Sequence, residues 1–195
     1  MAKVVIADDD AEVLAALVEQ VKELGHEVVG TATSGEEACA IVCELRPDVA
    51  IFDIRMDNGG GIQAARDVYE TCPTPIIFLT GYAEPELVEE AALAGGYAYL
   101  VKPVRIEELM TNIEMVRRRF EEIRQRQKEL ERVKRDLANR RILERAKGLL
   151  MDRYGMTEMR AYRVIHQAAR NTGKTLGEIS QQVIDSGKPP EGSGE

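Results

Sequence analysis

Short apolar runs alternate with stretches of helical periodicity through the first hundred residues. The runs are Val4–Ala7, the weaker Glu27–Ala32, Asp48–Asp53, Ile76–Leu79 and Tyr97–Val101. Runs of this length bounded by turn residues read as strands buried on both faces. Between them, Val13, Leu14, Leu17, Val18, Val21 and Leu24 recur at helical spacing before Gly25, and Ser34 with Glu37 forms a capping box that opens the next helix. Further helices are expected from about Ile62 to Glu70 and from Pro85 to Ala94. The gaps between strand and helix are short, which disfavours hairpins and favours right-handed crossovers. The pattern predicts a five-stranded parallel, doubly wound α/β domain with helices on both faces.

The polar residues at the strand ends are the second constraint. Asp8 and Asp9 close the first strand, Asp53 the third, Thr80 the fourth and Lys102 the fifth. In a parallel sheet all five fall on the carboxyl edge, where open α/β sheets bind ligands. Each alone has a bland reading, since Asp near a helix start is favourable and an exposed Lys needs no reason. Their joint placement does not. Clustered carboxylates repel one another and attract a hard cation, most simply Mg²⁺. One carboxylate can then act as nucleophile toward phosphorus, with a lysine and a hydroxyl steadying the phosphoryl oxygens. Asp53 stands alone on a central strand and is the expected nucleophile. Asp57–Gly61 lacks the Gly-Lys-Ser/Thr ending of a nucleotide-binding loop, so the phosphoryl donor is expected to be a small molecule or another protein.

These residues resemble the receiver domain of bacterial two-component response regulators over residues 1–116: the acidic pair Asp8-Asp9, the acceptor Asp53, Thr80 and the Lys102-Pro103 pair. The resemblance implies a flavodoxin-like fold, a phosphoacceptor at Asp53, and Mg²⁺ held by Asp9, Asp53 and the Arg55 carbonyl, with Asp8 acting largely through water. It also implies that Thr80 and Tyr99 form a switch pair with Lys102 on the phosphate, that the peptide bond before Pro103 is cis, and that a sensor histidine kinase is the partner. Two positions depart from the family: Asp57 stands where a proline is usual, and Gly60 where an Asp is usual. Altered kinetics or partner choice is the expected result.

After Pro103 no strand signal returns. Ile113, Phe120, Gln127, Lys134 and Arg141 fall seven apart, as do Val116, Ile123, Leu130 and Leu137. This seam predicts one long helix from about Ile106 to Met151, whose residues 117–138 form a parallel two-stranded coiled coil in a homodimer. A solvated spacer helix in a monomer is the bland alternative. Residues 139–186 then read as a small three-helix bundle. Thr157 caps a helix with Ala161, Tyr162, Ile165, Ala168 and Ala169 on its apolar face, and Thr175 with Glu178 is a capping box for a helix burying Leu176, Ile179, Val183 and Ile184. Residues 187–195 are expected to be disordered.

The stretch Glu144–Met151, together with Met156-Thr157-Glu158 and Ala161-Tyr162, resembles the ANTAR domain, an RNA-binding module of transcription antitermination regulators. That resemblance implies binding to RNA hairpins of nascent transcripts. Charge agrees with it. Residues 1–116 hold 7 Lys/Arg against 22 Asp/Glu, net −15, whereas residues 117–195 hold 19 against 12, net +7. Phosphate contacts are expected from Arg145, Lys147, Arg163, Arg170 and Lys174, with Tyr162 in the core. The whole is then a regulator, not an enzyme, phosphorylated on its own Asp53. Two other readings remain open: a DNA-binding transcription factor using the terminal helices, and a phosphorelay intermediate whose coil docks a protein.

The N-terminus reaches acid too soon for a signal peptide and no apolar run approaches membrane-spanning length, so a cytoplasmic protein without membrane contact is expected. Cys39, Cys43 and Cys72 lack a framework spacing and are expected to be reduced structural thiols. His26 and His166 stand isolated in the sequence.

Overall fold

A computed structural model describes residues 1–56, 60–81 and 94–190. The expected helix from Pro85 falls on residues 82–93, the loop at Asp57 on 57–59 and the end of the tail on 191–195, all outside the described residues. The chain divides into two compact units, Met1–Arg124 and Gln125–Glu195.

The first unit is the expected sheet. Its strands are β1 (Lys3–Ala7), β2 (Glu27–Ala32), β3 (Val49–Asp53), β4 (Ile76–Thr80) and β5 (Gly96–Val101). They lie in the order β2-β1-β3-β4-β5, and every neighbouring pair is parallel. β3 and β4 are buried along their whole length, which is why their sequences are apolar without alternation. The helices α1 (Ala11–Glu23), α2 (Gly35–Leu45) and α3 (Gly60–Thr71) follow β1, β2 and β3.

Alternate residues along the strands point to opposite faces, and two cores result. One packs Val5, Ala7, Ala50, Phe52, Ile76 and Phe78 against Ala38 and Val42 of α2 and Ala64, Ala65 and Val68 of α3. The other packs Val4, Ile6, Ile51, Ile77 and Leu79 against Leu17 and Val21 of α1 and Leu109, Ile113 and Val116 of a helix, α4, that begins at Ile106. Phe52 and Phe78 are wholly buried, and truncating either to alanine costs about 3–5 kcal/mol.

Helix ends follow local chemistry. Asp10 caps α1, its Oδ1 accepting from the Glu12 and Val13 amides. Ser34 caps α2 by accepting from the Glu37 amide, but the Glu37 carboxylate reaches the Thr33 amide, one residue before the position a capping box requires. α2 ends on Arg46 in the left-handed region, φ 47°.

α4 (Ile106–Tyr154) is the long helix. Ile113 and Val116, the first residues of the expected seam, are spent inside the receiver core, and Phe120 packs edge-on against Tyr97 at 5.5 Å. Of the apolar seam positions, Leu130 and Leu137 are exposed. In the second unit, α5 (Glu158–Thr172) and α6 (Leu176–Ser186) close on Ala146 and Leu150 of α4. The small residues Ala161, Ala168 and Ala169 let α5 approach closely. Thr157 caps α5, and Thr175 with Glu178 forms a complete capping box on α6.

Two further expectations need correction. Cys43 at the end of α2 and Cys72 just after α3 form a disulfide, with Cα atoms 5.3 Å apart, and only Cys39 is a free thiol. The pairing joins residues 29 apart in sequence, a contact that spacing along one helix does not reveal. Tyr162 is 41% exposed rather than in the core. It sits one residue past Ala161 on α5, and that step turns it away from the Ile165 and Ala168 face.

Candidate functional site

The carboxyl edge gathers residues from four loops. β1 hands the chain to Asp8, whose amide donates to the Ala32 carbonyl at 3.2 Å. β3 ends on Asp53, and the next amide, of Ile54, donates to the Leu79 carbonyl at 2.9 Å. β5 leads to Lys102, whose amide donates to the Thr80 carbonyl at 2.8 Å. The Lys102–Pro103 peptide is cis.

Lys102 Nζ lies 2.6 Å from Asp8 Oδ2 and 3.0 Å from Asp53 Oδ1. Asp8 Oδ1 accepts from the Asp10 amide at 3.0 Å, so both oxygens of this wholly buried carboxylate are engaged. Asp8, Asp9 and Asp53 bring carboxylate oxygens within 4.8 Å of one another, with Asp9 exposed. Asp53, Ile54, Arg55, Thr80, Gly81 and Lys102 line a cavity of about 260 Å³ beside them.

Burial pushes the Asp53 carboxyl above its ordinary range, and the charges of Asp8 and Asp9 add to the push, against the hydrogen bond and charge of Lys102. Lys102 is pulled down by burial, but its hydrogen bonds to Asp8 and Asp53 and their charges together outweigh this and raise it. A crowded, all-oxygen, net-negative donor set fits a hard divalent cation such as Mg²⁺.

Gly61 fixes the floor of the site. Its amide donates to the Ile54 carbonyl at 3.0 Å, and a Cβ at this position would lie 1.8 Å from the Asp53 carbonyl oxygen. α3 therefore starts in direct contact with the backbone of Asp53. Tyr99 stands outward on β5, 51% exposed.

The basic residues of the second unit are placed unevenly. Arg145, Arg163, Arg170 and Lys174 are exposed. Lys147 is buried, and its ammonium lies 2.9 Å from Glu144 and 2.7 Å from Glu158, which raises its pKa, the hydrogen bond to Glu158 first. It ties α4 to α5. On the outer side of α5, the ring of Tyr162 lies 5.7 Å from that of His166, and Arg163 donates to the Met159 sulfur.

Sequence reading missed three of these features. The Asp10 cap is legible as an Asp before the first helical apolar residue. Gly61 and the Tyr162–His166 pair depend on tertiary placement.

A parallel 2-1-3-4-5 sheet with three carboxylates and a lysine at its carboxyl edge defines a signalling receiver. Residues 4–114 match the Response regulator receiver domain family and residues 131–184 match the ANTAR domain family. The chain belongs to the response regulators, as a receiver followed by an ANTAR domain. It is 38% identical over 184 residues to "Transcriptional regulatory protein PdtaR" of Mycobacterium tuberculosis, covering 94% of this chain and 90% of that protein. The "DNA-binding transcriptional activator DevR/DosR" of the same species is 39% identical over 111 residues, covering 56% of this chain and 51% of that protein. Among solved structures, a signal receiver domain of a modulated diguanylate cyclase from Desulfovibrio desulfuricans superposes with a TM-score of 0.58 at 33% identity, over 61% of this chain and 95% of that one. A receiver implies a histidine kinase partner, and an ANTAR domain implies RNA binding and antitermination. Among the described residues no helix is long and apolar enough to cross a membrane.

Proposed function

We propose that Asp53 accepts a phosphoryl group from a histidine kinase and that this controls dimerisation and RNA hairpin binding by the C-terminal unit, causing antitermination. The observation that carries the reading is the Lys102 ammonium shared between Asp8 and Asp53, on a chain that also bears an ANTAR domain.

Asp53 Oδ2 forms the new bond to phosphorus while the bond from phosphorus to the kinase imidazole breaks. Lys102 holds Oδ1 at 3.0 Å and follows the charge onto the phosphoryl oxygens. Asp9, Asp53 and the Arg55 carbonyl would hold Mg²⁺, with Asp8 behind them, and bound Mg²⁺ neutralises negative charge on the transferring group. Thr80 borders the cavity and donates its hydroxyl to a phosphoryl oxygen. Tyr99 turns inward behind it.

A coiled coil through Ile123, Gln127, Leu130, Lys134 and Leu137 joins two copies, and the polar Gln127 and Lys134 keep it weak enough for a switch to bias. Arg145, Arg163, Arg170 and Lys174 contact RNA phosphates, and exposed Tyr162, beside half-buried His166, offers a ring on which an unpaired loop base stacks. Such work places the protein in the cytoplasm.

Two measurements test the proposal. Acetyl phosphate with Mg²⁺ should add one phosphoryl group by intact mass, and Asp53→Asn should abolish the addition; equal labelling of both proteins overturns the acceptor assignment. The phosphorylated chain should bind a two-hairpin RNA more tightly than one hairpin, and either more tightly than duplex DNA of equal length. Preference for the duplex favours the DNA-binding alternative.

A further inference from the structure

Neither phosphoryl transfer nor RNA binding accounts for the bond between Cys43 and Cys72. Its two cysteines differ in burial. Cys72 is wholly buried in the core that contains Val68 and Phe78, whereas Cys43 sits half-buried at the rim of that core. A reagent from solvent therefore meets Cys43 Sγ. Disulfides in a reducing compartment are mostly transient, catalytic or redox-sensing. That consideration rests on the cytoplasmic reading above; the difference in burial does not.

We propose that the Cys43–Cys72 bond is a reversible thiol-exchange site that takes a low-molecular-weight thiol of the glutathione class at Cys43. In the first step a small thiolate attacks Cys43 Sγ. A bond forms between the two, the Cys43–Cys72 bond breaks, and the electron pair goes to Cys72 Sγ. In the second step another small thiolate attacks the small-molecule sulfur of the mixed disulfide, and Cys43 leaves with the electron pair. Both protein sulfurs take up protons. Two small thiols are thereby oxidised to one disulfide, and the protein pair gains two electrons. A small-molecule disulfide runs the sequence in reverse.

The surroundings suit this traffic. The Thr71 hydroxyl donates to the Asp67 carbonyl at 2.5 Å, and its oxygen lies 3.3 Å from Cys43 Sγ and 3.7 Å from Cys72 Sγ, so turning its proton from Asp67 would let it donate to a departing sulfur. Cys39, one helical turn before Cys43, is kept from competing. Burial first, and the charge of Asp67 second, raise its pKa and hold it as a thiol. The bond also joins two helices that touch at their other ends. A Cβ on Gly35, at the start of α2, would lie 2.8 Å from the Gly60 carbonyl oxygen at the start of α3. α3 thus carries the exchange site just past its last turn and packs against the backbone of Asp53 at its first.

The test uses the full chain, equilibrated in glutathione buffers from fully reduced to fully oxidised, quenched with acid, unfolded and alkylated. Peptide mapping should show Cys43 and Cys72 becoming protected together in one transition, with Cys39 alkylated throughout. In Cys72→Ser, oxidised glutathione should attach once, at Cys43. In Cys43→Ser, the adduct at Cys72 should form slower by about tenfold or more. Intact-mass labelling of Asp53 in each variant reports that the fold survives, independently of any redox result. Alkylation of Cys43 and Cys72 in every buffer overturns the proposal. So does a bond that survives every buffer, or an adduct that forms faster at Cys72 than at Cys43.

Discussion

Lys102 Nζ stands 2.6 Å from Asp8 and 3.0 Å from Asp53, so a single ammonium joins the ends of β1, β3 and β5. Its pKa and that of Asp53 are both raised on folding, so both contributions are lost as pH rises, but in different pH windows. The raised Lys102 contributes stability that is present below the ordinary lysine range and lost as pH rises through the folded value. The raised Asp53 contributes stability only below the ordinary carboxylate range, and loses it as pH rises through its folded value. At neutral pH without a divalent cation, ionised Asp53 is therefore a liability. Asp53→Asn should raise the metal-free Tm at pH 7. The gain should shrink as pH falls through the raised Asp53 pKa and should diminish when Mg²⁺ is added. Thermal unfolding across pH, with and without Mg²⁺, checks all three.

Gly61→Ala should damage fold and site together. Its Cβ would lie 1.8 Å from the Asp53 carbonyl oxygen, which is backbone and cannot swing aside. A loss of about 3 kcal/mol is expected from overpacking of this kind, read by urea unfolding, with slower labelling by acetyl phosphate in whatever fraction remains folded. Gly148→Ala, where a Cβ meets nothing within 4 Å inside the long helix, is the contrasting substitution and should stabilise by about 0.5–1 kcal/mol.

Reduction of the Cys43–Cys72 bond should lower stability without unfolding the receiver at room temperature. Closing a loop of 29 residues removes chain entropy worth about 3–4 kcal/mol in the unfolded state. Urea midpoints of the oxidised and dithiothreitol-treated protein, measured side by side, give the difference.

Leu130 is 53% exposed and Leu137 50% exposed on α4. Charging both should barely alter a monomer, since exposed substitutions change stability by about 0.5 kcal/mol or less. In a coil each loses a burial worth about 1.5–3 kcal/mol. Leu130→Glu with Leu137→Glu should therefore weaken dimerisation by about a hundredfold or more while receiver unfolding stays put. Sedimentation of the phosphorylated protein reads the first quantity, and a monomeric wild type at micromolar concentration removes the coil.

Lys147 and Arg163 should fail in different ways. Arg163→Gln should flatten the dependence of log K on log salt for hairpin RNA by about 0.7, the value for one single-stranded phosphate. Lys147→Gln, which breaks the ties to Glu144 and Glu158, should lower the melting temperature of the C-terminal unit and leave the salt slope of the folded protein unchanged.

The acid site was open to sequence reading because its geometry is carried by period and topology. A parallel strand has one carboxyl end, so Asp8, Asp53, Thr80 and Lys102 had to share an edge once the strands were read. The exposed Tyr162 was harder. On α5 it neighbours Ala161 in sequence and belongs to a run that looks apolar, and only the width of the face that α6 and α4 cover decides its side. The Cys43–Cys72 pairing was harder still, because it depends on how α2 and α3 meet across a core. The start of the heptad pattern was ambiguous for a related reason. Ile113 and Val116 satisfy a heptad and a receiver core equally well, and periodicity does not say which surface claims them.

The second core of the receiver is completed by α4, through Leu109, Ile113 and Val116. A growing chain therefore cannot finish the receiver core when β5 is made; it must also have synthesised the first three turns of the next helix. Ribosomes add about 5–20 residues per second, so roughly 3–13 s separate the making of Val116 from that of Val183, the last core residue of the bundle. The receiver core has time to close while the C-terminal bundle is still being made.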